Sequence, residues 1–110
     1  MSDELSHKKC VPCESGIAPL GPEQAVELLG QIKNWTSVNE LALEKEFSFK
    51  DFSEALSFIN KVGVLAESEG HHPDMLLHDY KKVRISLSTH AIGGLSENDF
   101  ILASKIDNLN

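Results

Sequence analysis

Four of the five histidines fall within twenty residues of one another, at His71, His72, His78 and His90. Imidazole has an unperturbed pKa of about 6.5 and gives or takes a proton near neutrality, so such a group points to acid–base chemistry. A single histidine is more often an exposed or internally satisfied residue. Grouping at element boundaries moves the reading toward a site. His71-His72 lies between Gly70 and Pro73, where a helix gives way to a strand. Pro73 biases His72 toward extended backbone, which aims the two rings in different directions. His90 shares strand parity with Arg84, Ser86 and Ser88, so it emerges at the end of a polar face. Two strands pairing as a hairpin around Tyr80-Lys81 bring His71, His72 and His90 to the same edge of a sheet.

Metal binding competes with this reading, with Asp74 or Asp99 as a further ligand for zinc or iron. Adjacent histidines on extended backbone diverge, however, and the helical i, i+4 spacing of paired His ligands is absent. Metal-free proton transfer is therefore the preferred chemistry, with no metal expected. No Ser sits in a nucleophile-elbow motif, and both cysteines are remote, in Cys10-Val11-Pro12-Cys13. One C-x-x-C is half of a zinc site or a redox pair, and a polar leader is the wrong setting for a thioredoxin-like motif. Asp99 has two readings. In Ser96-Glu97-Asn98-Asp99 it completes a near capping box, and it is also a carboxylate able to orient a catalytic imidazole. Glu67, one helical turn before His71, reads first as solvated helix surface and second as a site residue.

The elements that must position these groups follow from periodicity. Gly21-Pro22-Glu23 starts a helix, Ala25, Val26, Leu29 and Ile32 give its apolar side, and it should end near Lys33-Asn34. Residues 35–38 and 41–49 read as strands joined at Asn39-Glu40, with Leu41, Leu43, Phe47 and Phe49 on the apolar face. Lys45 interrupts that face and suggests an edge or an interface. Asp51 caps a long helix whose stripe runs through Phe52, Ala55, Leu56, Ile59, Val62, Gly63 and Ala66. Phe58 and Leu65 lie off its centre, as core flank or subunit contact. Met75-Leu76-Leu77 is a short apolar strand, Val83, Ile85 and Leu87 mark a half-buried one, and Ser96 caps a last helix carrying Phe100, Ala103 and Ile106. This order predicts an α+β, two-layer sandwich: a four-stranded antiparallel sheet with three helices packed on one face. Residues 1–20 read as an irregular leader and residues 21–110 as one domain.

A chain of 110 residues is the size of one domain, and about two thirds of its surface is buried on folding. A net charge of −7 repels phosphate backbones and anionic membranes, arguing against nucleic-acid and lipid-surface partners. No apolar run approaches the ~20 residues of a membrane span, and the N-terminal stretch lacks the apolar segment of a signal peptide. A cytoplasmic location is the expectation.

These residues resemble a known family. Glu67-x3-His71-His72-Pro73, the aromatic Tyr80, His90 and Asp99 together look like the signature of the pterin-4a-carbinolamine dehydratases. Phe47-x-Phe49-Lys50-Asp51-Phe52, Tyr80-x-Lys82-Val83, Leu87-Ser88-Thr89-His90 and Gly94-Leu95-Ser96-Glu97-x-Asp99 read the same way, over about residues 20–107. Met75-Leu76-Leu77-His78 departs from the pattern, which leaves the role of His78 open. The resemblance implies a hydro-lyase acting on 4a-hydroxytetrahydropterin, the spent cofactor of aromatic amino acid hydroxylases, with pterin as substrate and no cofactor. It implies His71, His72 and His90 as the catalytic set and Asp99 as the group that orients or charges His90. Glu67, Gly70, Pro73, Ser88, Thr89 and Ala91 would line the substrate, several through backbone groups. It further implies a homodimer or homotetramer. The competing class is a dimerisation or coactivator-type interaction module that needs no catalysis.

Overall fold

The computed structural model describes residues 21–39, 41–89 and 94–109. The Cys10/Cys13 leader, His90 and Ala91 lie outside them. Helix α1 (Pro22–Leu29) is followed by β1 (Thr36–Val38), β2 (Ala42–Ser48), α2 (Phe52–Glu69), β3 (Asp74–His78), β4 (Lys82–Leu87) and α3 (Glu97–Asp107). Among the described residues all strand pairs are antiparallel, in the order β1-β2-β4-β3, and these three helices cover one face. This is the α+β two-layer sandwich expected from the alternation of periods.

Local chemistry explains most boundaries. Asp51 Oδ1 accepts the Glu54 amide at 2.8 Å, and the Glu54 carboxylate reaches back to the Lys50 amide at 3.1 Å, so α2 starts where its capping residues stand. Helix α1 stops at Leu29, four residues short of the expected end. There the amides of Gln31 and Ile32 turn back to the carbonyls of Leu28 and Leu29 in tighter i→i−3 bonds. Asn34, at φ 61°, then swings the chain into β1. Ile32 keeps helical spacing in sequence but reaches the core from beyond the helix.

On the covered face, Leu43 and Phe47 of β2 and Val83, Ile85 and Leu87 of β4 are buried. Leu41, expected with them, lies in the turn before β2 and is exposed. The stripe of α2 is rotated from the expected one: Ala55, Phe58, Val62 and Ala66 are buried, while Phe52 and Leu56 are exposed. Phe58 is core, with its ring 4.7 Å from that of Phe47 and 4.9 Å from that of Phe49. It belongs to the core, and Leu65 is half-buried against the same cluster. Helix α3 touches both other helices and buries residues around most of its circumference, Asn98 through Ser104 and Ile106, so a single apolar side understates it.

Lys45 does not mark an edge, since β2 lies between β1 and β4 in the sheet. It faces the helices, and its Nζ donates to Asp107 Oδ1 at 2.7 Å. Asp107 also accepts the Trp35 indole N–H at 3.1 Å and the Lys33 amide at 3.1 Å. The ammonium stands 4.7 Å from the Phe47 ring centroid, a cation–π contact. One carboxylate thus fastens the end of α3 to the first hairpin. Removing it strands a lysine and an indole N–H in the interior. Asp107→Ala should therefore cost about 3 kcal/mol, seen as a lower urea midpoint with an unchanged slope; a loss below about 1 kcal/mol would mean that the network does not hold the helix.

Candidate active site

The site begins where α2 ends. Gly70 adopts a left-handed conformation at φ 66°, ψ 25°. Its amide bonds Glu67 O, and the His71 amide bonds Ala66 O at 3.2 Å. This is a Schellman ending, which closes the last helical carbonyls and fixes the direction in which His71 leaves. Pro73 follows and delivers the chain into β3.

The two rings diverge, as the Gly-His-His-Pro sequence predicts. His71 turns inward: its Nε2 is 2.6 Å from Asp99 Oδ1, its side chain is 13% exposed, and the Asp99 side chain is fully buried. His72 turns outward, is 60% exposed, and meets the exposed Glu67 carboxylate at 2.5 Å. The register of the second hairpin explains the placement. Asp74 pairs with Ser86 and His78 with Lys82, so residues 71–73 lie beside the stretch that follows Leu87.

Asp99 combines the two roles that its sequence left open. It is the third residue of α3, and its Oδ2 accepts the Ser96 amide at 2.9 Å, closing the helix start. The same oxygen accepts the Thr89 hydroxyl at 2.9 Å, and Oδ1 is left for His71. The ring that Asp99 holds is therefore that of His71; the expected service to His90 falls outside the described residues. Thr89 has the parity of Val83, Ile85 and Leu87, so its side chain points toward the helices and is buried. Its amide bonds Gly94 O at 3.1 Å, and its hydroxyl meets Ser96 Oγ at 2.8 Å. The contribution of its side chain, and that of Ser96, escaped the reading of the sequence. The signal was present in the alternation of β4, which puts residue 89 on the inner face.

Of the other expected site residues, Glu67, Gly70 and Pro73 border the two rings in sequence, and Ser88 is half-buried beside Thr89. His78 stands apart, at the far end of β3, with its Nε2 2.5 Å from Glu46 and its Nδ1 3.3 Å from Asp79. Among the described residues, no three His, Cys, Asp or Glu side chains converge as ligands of one ion. Also among them, no helix is long and apolar enough to cross a membrane.

Fold and site together define a small two-layer α+β domain that carries a buried imidazole–carboxylate pair at the end of its second hairpin. The family model described as pterin 4 alpha carbinolamine dehydratase matches residues 18–109. A protein of Alkaliphilus metalliredigens named as a pterin-4-alpha-carbinolamine dehydratase is 50% identical over 106 residues, 96% of this chain and 95% of its own length. One of Halorhodospira halophila, named alike, is 48% identical and covers 96% of each chain. The crystal structure of a transcriptional coactivator/pterin dehydratase from Brucella melitensis superposes with a TM-score of 0.77 at 32% identity, over 83% of this chain and 97% of that one. The chain belongs to the pterin 4 alpha carbinolamine dehydratase family and is a dehydratase.

The helix ending that aims His71 also generates a prediction. A methyl group at Gly70 would meet no atom within 4 Å, so a substitution there is opposed by backbone conformation alone. Gly70→Ala should cost about 1 kcal/mol, measured as a drop in thermal midpoint; an unchanged midpoint would show that the left-handed ending is not held.

Proposed function

We propose that this chain removes water from 4a-hydroxytetrahydropterin by histidine acid–base catalysis and so regenerates the pterin used by an aromatic amino acid hydroxylase. The reading rests on one observation above the others: a fully buried Asp99 holds the His71 imidazole at 2.6 Å, one residue from a second, open imidazole.

The reaction asks for two proton movements. The C4a–O bond breaks as its hydroxyl gains a proton and leaves as water, and N5 gives up its proton, leaving the quinonoid dihydropterin. No electrons are exchanged with a partner, so the step is redox-neutral and calls for no cofactor. His71 and His72 supply the proton transfers together with His90, and Asp99 balances the charge when the His71 ring is protonated. Each positioned transfer is worth about 10²–10⁴ in rate. Glu67, Gly70, Pro73, Ser88, Thr89 and Ala91 border the substrate in this reading, which has the protein act in the cytoplasm.

The assay is the dehydration rate of enzymatically generated 4a-hydroxytetrahydropterin. Acceleration by the wild type should survive EDTA and fall about a hundredfold in His71→Ala and at least about tenfold in His72→Ala. No acceleration by the wild type would remove the enzymatic reading, and loss on chelation alone would install a metal.

Association as a homodimer or homotetramer is supported by the outward side of α2, where Leu56 and Val64 are 41% and 73% exposed. They line an open groove with Leu65 and Leu109. The same surface would serve the interaction-module reading, which no observation favours over the enzyme. Sedimentation velocity should show an oligomer that Val64→Glu makes smaller; a monomeric wild type would overturn the assignment.

A further inference from the structure

The hydrogens around Asp99 can be assigned a direction, and the directions converge. The Ser96 amide and the Thr89 hydroxyl both donate to Oδ2, at 2.9 Å each. Since the Thr89 hydrogen is spent on Asp99, its oxygen is the acceptor in the 2.8 Å contact with the Ser96 hydroxyl. The two hydroxyls form a short chain, Ser96 into Thr89 into Asp99. Two donors on Oδ2 suit the ionised carboxylate, which has no hydrogen to give on Oδ1 either, so in the 2.6 Å contact with His71 the hydrogen is carried by Nε2. The neutral ring then has its lone pair on Nδ1, which has no hydrogen-bond partner among the described residues.

We propose that Thr89 is a positioning residue: by holding Asp99 as an acceptor it locks His71 in the Nε2–H tautomer and makes Nδ1 the atom that exchanges a proton with substrate. This rests on the dehydratase reading given above. The proton balance is simple. Nδ1 takes one proton, the ring becomes an imidazolium whose Nε2–H stays on Asp99, and Nδ1 later releases the same proton; Asp99 itself never carries it. Thr89 is poorly placed to serve substrate in any other way. Its side chain is buried, its amide is committed to Gly94 and its hydroxyl to Asp99. Its expected part in lining the substrate is thus narrowed to its carbonyl group.

The test pairs kinetics with a spectrum that needs no turnover. Thr89→Val keeps the shape and deletes the donor; Thr89→Ser keeps the donor. In the dehydration assay, Thr89→Val should lower kcat about tenfold with KM within about twofold, and Thr89→Ser should recover most of the loss. The 15N side-chain spectrum of the wild-type protein, at a pH where the ring is neutral, should show His71 protonated on Nε2 and bare on Nδ1. Equal kcat values in the valine and serine variants would overturn the proposal, as would a His71 ring protonated on Nδ1. A wild type without activity would remove the dehydratase reading while the spectrum still judged the tautomer. The spectrum also decides if the valine variant does not fold.

Discussion

A carboxylate with no exposed surface persists only where donors replace its lost water. Asp99 meets that condition with groups from three separate parts of the chain: the ring that follows α2, the hydroxyl that follows β4, and the amide that opens α3. None of the three elements satisfies it alone. The junction therefore joins the long helix, the central hairpin and the last helix at one point. That point is also where the His71 imidazole stands, so the requirement that stabilises the junction also fixes the placement of that ring.

Helix α3 is held at its other end by a second carboxylate of similar logic and opposite character. Asp107 gathers the lysine of β2 together with an indole and a backbone amide from the segment just before β1. Between the two anchors the helix is packed by Phe100, Ile101, Leu102 and Ile106, all buried. A helix clamped polar at both ends and apolar along its length has one register against the sheet. Slippage by one residue would break both carboxylate networks and rotate the packed side chains together.

Much of this was legible in the residues. Caps and periods located every element of the described chain, because Asp51, Ser96 and Gly70 act within a few residues of themselves. The edge that gathers His71 and His72 followed from hairpin pairing and the Gly-His-His-Pro context. Three of the misses have a common cause, which is that they depend on contacts distant in sequence. Lys45 looked like a defect in an apolar face because its partner lies 62 residues on. The stripe of α2 was misplaced because Phe58 is drawn in by Phe47 and Phe49, which no period within the helix reveals. Asp99 was recognised as both cap and site residue, but its imidazole, 28 residues before it, emerged only from the packing of α3 against the end of α2.

The doubled duty of Asp99 Oδ2 has a practical corollary. The Ser96 amide is hydrogen-bonded to the same oxygen that receives Thr89, so it exchanges with deuterated solvent only when the carboxylate leaves its seat or the helix start frays. A backbone proton thus keeps a running count of how often the junction around Asp99 is out of order. It can be read in the resting molecule, before any turnover has taken place.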